Sequence, residues 1–384
     1  MAMPSAKWSH FGTSIFSVMT MAARRNGAIN LAQGFPNFDG PEEIKEAAIA
    51  AIRGDFNQYA HSHGIPKLRE LLASRMKKVS NLSYDSENEV TVFSGATEAL
   101  FCVFQAFLNQ GDEVLTFAPF FDCYPAGAFS VGAKLVEVPL RSPDWTFTAE
   151  DLETRWTTST KAILVNTPHN PTGRVFSRLE MEMIASFAKK HDLLVITDEV
   201  YEELVYDHKP FTRMATIPGM RQRTVVISST AKTFSLTGWK IGYIFAPPEL
   251  TKELRAVHQF TVFCAATPLQ AGICAALELG DEYYEKLRKD YQVRRDFLCE
   301  GLQKLGFKFH KPEGTYFVVA DYSHISIRPD TEFTLQLVET KKVALIPTSV
   351  FYTDPTSTAQ RQHYVRFAFC KDIETLKAGL DHLA

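Results

Sequence analysis

Ser228-Ser229-Thr230-Ala231-Lys232-Thr233-Phe234-Ser235-Leu236-Thr237-Gly238-Trp239-Lys240-Ile241-Gly242 follows an apolar run at 224–227. The stretch sets small and hydroxylated residues around one lysine. Small neighbours let a bound group come close to the backbone. A lysine at the end of a buried strand has its ammonium form disfavoured by desolvation, which makes Lys232 a candidate Schiff-base nucleophile. The second lysine, Lys240, and hydroxyls such as Ser229 are suited to clamping a phosphate. Taken alone, such a segment also reads as a loop with two solvated lysines.

Upstream of this stretch, apolar runs alternate with helical patterns. Segments 89–93, 113–117, 134–138, 162–165 and 193–197 read as strands, and 97–108 reads as a helix. Buried β-branched runs alternating with helices predict an α/β fold, a mostly parallel sheet covered on both faces. Such sheets hold ligands at the carboxyl ends of their strands. The pattern changes after about residue 279. There, 281–305 reads as one long charged helix, and 315–319, 343–346 and 364–367 read as strands with a helix around 331–340. With 384 residues, the chain exceeds the roughly 250–300 that one core supports. We therefore expect a large domain over 46–280, a small α+β cap over 281–384, and a loop-rich arm over 1–45 that joins the cap or a partner subunit.

Composition narrows the function. Lys and Arg number 41 against 44 Asp and Glu, a net charge of −3, so no nucleic-acid partner is expected. Apolar residues at 45% and charged residues at 22% exclude a disordered chain. No run reaches the roughly 18 apolar residues of a spanning helix, so no membrane partner is expected. Six cysteines stand singly, without a C-x-x-C pair. That argues against a disulfide framework or a zinc site and for a reducing, cytoplasmic setting, with no metal. Residues 1–8 lack the charged-then-apolar design of a leader. No G-x-G-x-x-G, G-x-S-x-G or phosphate-loop pattern is present.

Further residues carry chemistry on physical grounds. Ser94-Gly95-Ala96-Thr97 joins a strand to a helix, and the free N–H groups of such a start favour an anion; capping by Ser94 or Thr97 is the ordinary alternative. Asp198 ends a hydrophobic strand, where an acid is costly unless it is paired or functional. Asn170-Pro171-Thr172-Gly173 suits a turn. Arg366 lies in the apolar run 364–369. If it faces inward, its fork calls for a carboxylate; an outward-facing strand arginine is the alternative.

These segments fall in one order along the chain: Asn30-Leu31-Ala32-Gln33-Gly34-Phe35-Pro36, Asn57-Gln58-Tyr59, Ser94-Gly95-Ala96-Thr97-Glu98-Ala99-Leu100, Pro119-Phe120-Phe121-Asp122-Cys123-Tyr124, Asn166-Thr167-Pro168-His169-Asn170-Pro171-Thr172-Gly173, Thr197-Asp198-Glu199-Val200-Tyr201, the Lys232 stretch and Val365-Arg366-Phe367. Together they resemble the class I, fold type I pyridoxal-phosphate aminotransferases. The nearest branch holds kynurenine aminotransferase, glutamine transaminase K and bacterial methionine aminotransferase. The resemblance spans nearly the whole chain and implies a seven-stranded, mostly parallel sheet.

It also implies roles. Lys232 would hold pyridoxal 5'-phosphate as a Schiff base. Ala96 and Thr97 N–H groups, Ser229 and Lys240 would hold its phosphate, and Tyr59 would reach that phosphate from the other subunit of a homodimer with shared sites. Asp198 would keep the ring nitrogen protonated. Tyr201 and Asn170 would hydrogen-bond the phenolic oxygen, with a cis Asn170–Pro171 bond. Phe121 would stack on the ring, with Tyr124 as the rival, although most of the 29 phenylalanines must be core. Arg366 would grip the substrate α-carboxylate, helped by a close approach of Gly34.

The substrate pair is an amino acid and a 2-oxo acid, exchanged by ping-pong kinetics. No Lys or Arg occurs from 256 to 285, so a second cation for a side-chain acid is lacking there. Phe16 stands where the branch often has tryptophan, and Cys264 where its animal members have histidine. A soft pocket of Phe16, Phe121, Tyr124 and Phe263 fits methionine-like, glutamine-like or aromatic donors. A cysteine-conjugate β-lyase on the same scaffold is the alternative activity. A ligand-sensing regulator lacks room for a DNA-binding domain within the first 45 residues.

Overall fold

The computed structural model describes residues 11–354 and 363–384; the reading of 1–8 lies outside them. Seven strands form the main sheet, in the order Val90–Phe93, Gly242–Phe245, Thr224–Ser229, Leu194–Asp198, Thr160–Asn166, Glu113–Ala118, Lys134–Pro139. Most are buried along nearly their whole length, as a sheet sandwiched between helices requires. Six strands run in one direction, five of them paired directly as a parallel block and the sixth, Val90–Phe93, at the sheet edge beyond Gly242–Phe245. Gly242–Phe245 runs against both of its neighbours. The sequence reading did not assign this strand, because a four-residue run opening on glycine gives little pattern.

The carboxyl ends of the parallel strands therefore share one edge of the sheet. Pairing sets Asn166 beside Asp198, and Ser229 beside Gly242. Every segment expected to carry chemistry in the 94–242 region leaves the sheet at this edge or packs against it.

A second sheet of four antiparallel strands runs in the order Ile346–Pro347, Tyr364–Ala368, Phe317–Asp321, Lys308–Phe309. The strand expected at 315–319 starts instead at Phe317. Thr315 takes a left-handed φ of 62°, and its carbonyl accepts the Tyr206 hydroxyl. The run expected at 343–346 splits. Val343–Ala344 pairs with Ile29–Asn30, and Ile346–Pro347 pairs with Tyr364–Ala368. The helix expected at 331–340 is Asp330–Gln336 followed by a wider π turn, Leu337–Lys341.

Residues 11–45 hold more structure than a loop. Ser14 caps the helix Ile15–Asn26, and Gly27 ends it in the left-handed conformation. That helix buries Met19 and Ala23 against Val338, Ala344, Ile346 and Phe351. The arm thereby brings Phe16 and the 30–36 segment against the second sheet. A core around that sheet joins Leu31, Tyr201, Tyr291, Tyr316 and Phe317, so the two sheets meet over the carboxyl edge of the first.

Candidate active site

Between the sheets lies a cavity of about 340 Å³ lined by Lys232, Asp198, Asn170, Lys240, Arg366 and Phe121, among others. One end is the start of the helix Ala96–Phe107. Its N-cap is Gly95, with φ +83°, and no side chain caps it. The Ser94 or Thr97 cap is therefore not made, and the first N–H groups stay free for an anion. A Cβ on Gly95 would lie 3.1 Å from Lys240 Cε and 3.2 Å from Nζ, so that ammonium rests against the helix start. A Cβ on Gly242 would come within 2.4 Å of Ala96 N. Glycine is needed there because strand and helix backbones touch.

Lys232 sits in the short helix Thr230–Thr233, which the Ser229 hydroxyl caps through Ala231 N–H at 3.1 Å. Ser229 Oγ also donates to Ile241 O at 3.2 Å. Lys232 is half-buried and opens into the cavity. Desolvation brings its pKa down to about 8. Its Nζ lies 5.9 Å from the ring centroids of Tyr201 and of Tyr316.

Asp198 is 4% exposed. Burial raises its pKa, against a 2.6 Å bond from the Tyr124 hydroxyl and a 3.3 Å bond from Val200 N–H. Lys232 is the basic group that acts on it, through space rather than in an ion pair. Asn166 ties this strand end to the next turn. Its Nδ2 donates to Asp198 O at 2.9 Å, and its Oδ1 accepts Asn170 N–H at 2.7 Å. The Asn170–Pro171 bond is cis.

Arg366 faces inward and is 1% exposed. One Nη donates to Asn170 Oδ1 and the other to Ala32 O, both at 3.0 Å. Its guanidinium carbon lies 3.9 Å from the Phe317 ring centroid. Its Nε has no hydrogen-bond partner. Burial lowers its pKa to about 10. No carboxylate among the described residues pairs with it in a salt bridge, so a buried cation with an unspent N–H borders the cavity.

The expected site residues fall as follows. Tyr124 does not line the cavity; it is buried and bonded to Asp198, and Phe121 is the aromatic of the two that borders the cavity. Gly34 borders the cavity, and a Cβ there would also stand 2.7 Å from Phe317 Cζ. Its carbonyl accepts the Tyr316 hydroxyl at 2.6 Å. Phe16 does line the cavity, 5.1 Å from the Arg366 guanidinium carbon. Tyr59 and Phe263 are not in it. Both were expected to act across a subunit interface; Tyr59 is 84% exposed, and the two rings meet edge to face at 5.4 Å on the surface. Sequence reasoning did not single out Asn166, Tyr316 or Phe317. Asn166 lay inside a quoted segment, whereas Tyr316 and Phe317 read as ordinary core aromatics.

This donor set suits a group with an anionic end and a protonated nitrogen. The uncapped helix start and Lys240 could meet the anion, Asp198, which is in no ion pair, could meet the nitrogen, and Lys232 could form a carbon–nitrogen bond.

The chain is similar to known proteins along nearly its whole length. The model of the family described as aminotransferase class I and II matches residues 26–383. A methionine aminotransferase structure from Escherichia coli superposes with a TM-score of 0.95 at 34% identity, covering 100% of this chain and 99% of that one. An N-succinyldiaminopimelate aminotransferase structure from Mycobacterium tuberculosis gives 0.95 at 39% identity, with all of both chains covered. Human kynurenine–oxoglutarate transaminase 3 is 38% identical over 96% of this chain and 87% of its own length.

Proposed function

Because the chain belongs to the class I and II aminotransferases, enzymes that use pyridoxal 5'-phosphate to exchange amino groups between amino acids and 2-oxo acids, we propose that its donors have uncharged, methionine-like, glutamine-like or aromatic side chains. One observation carries this reading. The basic side chains lining the cavity are Lys232, Lys240 and Arg366, and each has a place at the cofactor or at the α-carboxylate. That leaves none for a side-chain acid, while Phe16 and Phe121 offer apolar surface.

The residues divide the work as follows. Bound in the cavity, the cofactor supplies a carbonyl carbon and a protonated ring that draws electrons from the substrate α-carbon. Lys232, with its pKa near 8, is poised to shed its proton close to neutral pH. Its Nζ would be the nucleophile toward that carbonyl and, once released, the base that takes the substrate α-proton and the acid that delivers it to the former carbonyl carbon. Asp198 would accept the ring N–H and hold that proton in place. Asn170 gives Oδ1 to Arg366, which leaves its amide N–H free to donate to the phenolic oxygen beside Tyr201. The Arg366 fork orients the substrate α-carboxylate.

The working unit we propose is a homodimer. Exposed Tyr59, Phe260 and Phe263 form an apolar patch that a second copy covers, and Tyr59 then reaches the partner's phosphate site. The large unit is 46–280, and 281–384 with the arm 1–45 forms the smaller one. None of the described helices is long and apolar enough to cross a membrane. The six cysteines, free of disulfides, fit a cytoplasmic setting.

The test is an absorption spectrum of the purified protein before and after methionine is added without an acceptor. Bleaching of the cofactor band supports the donor class. A band that methionine, glutamine and phenylalanine all leave unchanged, while glutamate bleaches it, overturns that class. No band after cofactor is supplied overturns the roles given to Lys232 and Asp198.

A further inference from the structure

Behind the helix start lies a buried pair that the mechanism does not use. Glu98 is the third residue of the helix Ala96–Phe107, one position beyond Thr97. Its Oε2 accepts Ser94 N–H at 2.5 Å. Its Oε1 lies 2.7 Å from His258 Nδ1, and His258 Nε2 lies 2.9 Å from Ser62 O. The His258 side chain is fully buried, and its ring packs on Phe93 with centroids 4.5 Å apart.

A proton count follows from these contacts. The backbone carbonyl of Ser62 can only accept, so Nε2 carries a proton. The contact between Nδ1 and Oε1 then holds a second proton, on the ring or on the carboxyl. In either arrangement the pair is net neutral. A lone carboxylate one residue from the N–H groups of Ala96 and Thr97 would oppose an anion bound there. Paired with His258, it keeps its bond to Ser94 without that repulsion.

The same histidine joins two further pieces. It lies on the helix Pro248–Thr261, and its carbonyl accepts the N–H of Val262 and of Phe263, each at 3.1 Å. Ser62 lies in the segment that carries Tyr59, and Val92 N–H bonds His63 O at 2.9 Å. His258 thus pins the Tyr59 and Phe263 surface to the inner face of the helix start.

We propose that His258 is a positioning residue of the phosphate end: it neutralises Glu98 so that the helix start can receive a dianion, and it fixes the Tyr59 segment to that helix. The inference rests on the proposed placement of the phosphate at Ala96 and Thr97.

The test is the ratio of dissociation constants for pyridoxal and pyridoxal 5'-phosphate, from absorption titration of the cofactor-stripped full chain at low salt. The ratio isolates the phosphate end from general damage. His258→Gln is expected to lower it on the order of tenfold, the scale of one unneutralised charge near a partly buried anion. His258→Gln with Glu98→Gln is expected to restore it to within about threefold of the wild type. An unchanged ratio in the single variant, or no recovery in the double one, overturns the proposal.

Should His258→Gln fail to fold, Glu98→Gln decides alone. Its amide keeps one acceptor for Ser94 N–H and one donor for the ring, so the ratio should stay within about threefold of the wild type. A rise of about tenfold would mean that Glu98 stands as a bare anion and overturns the neutralising role. A wild-type chain that binds both forms equally refutes the phosphate placement, and the inference with it, an outcome distinct from failure of the variants.

Discussion

Replacing Tyr124 by phenylalanine removes one hydroxyl and keeps the ring. That hydroxyl donates to Asp198 Oδ2 at 2.6 Å, and both groups are buried. A hydrogen bond to an ionised group contributes about 1.5–3 kcal/mol, and a neutral one about 0.5–1.5 kcal/mol. Burial raises the Asp198 pKa, and the tyrosine bond opposes that rise, so losing the bond lets it climb further. An acid whose folded-state pKa exceeds its unfolded value binds its proton more tightly when folded. Its contribution to stability is present at low pH and is lost as pH rises through the folded value. The Tyr124→Phe penalty should therefore grow with pH, from about 0.5–1.5 kcal/mol where the bond is to a protonated carboxyl to about 1.5–3 kcal/mol where it is to an ionised one. Urea unfolding of the cofactor-stripped chain across the pH range in which it stays folded measures the trend. A penalty that does not change with pH, or that stays below about 0.5 kcal/mol at the alkaline end, refutes the reasoning.

Three further outcomes are expected. Lys232→Met should abolish transamination yet stabilise the cofactor-stripped chain near pH 7. A lysine lowered from 10.5 to about 8 costs folding at most about 3 kcal/mol there, and the gain should shrink as pH rises from about 8 to 10.5; thermal melts across that range show whether it does. Arg366→Lys keeps the charge and loses the fork, so kcat/KM for the amino donor should fall by about 10–100-fold; steady-state kinetics showing less than a twofold change would remove Arg366 from the carboxylate. Gly34→Ala sets a Cβ 2.7 Å from Phe317 Cζ, and the resulting ring shift should cost about 1–3 kcal/mol of stability. It should also raise KM, because Phe317 supports Arg366, and an unfolding curve that overlays the wild type would contradict that contact.

How much was legible in the sequence depended on where the signal lay. The parallel strands announce themselves through unbroken apolar runs such as Ala162-Ile163-Leu164-Val165, because both faces of such a strand are buried. Gly242–Phe245 does not, since its place in the sheet comes from pairing with strands on either side rather than from its own pattern. Lys232, Asp198 and Arg366 stood out because a charged residue in an apolar run demands a reason. Tyr124 gave no sign of its partner. Three residues after Phe121 an aromatic reads equally as a second stacking ring, and only the rotation of the helix Cys123–Ser130 turns its hydroxyl to Asp198. The packing need for glycine at 34 was not legible, because the rings that exclude a side chain there come from 316–317, nearly three hundred residues along the chain. Tyr59 and Phe263 stayed outside the cavity, since a single copy gives them nothing to cover.

The reversed strand has a mechanical side. Residues 230–241 form a strap whose two ends are buckled together where Ser229 pairs with Gly242. Lys232 and Lys240 are both stitched to that strap, and its buckle presses on the helix start at Ala96. Lys232 and Lys240, to which we assign the covalent and the phosphate-holding roles, thus share one short segment anchored at both ends by the sheet, so that a group bonded to the first would stay moored by the second.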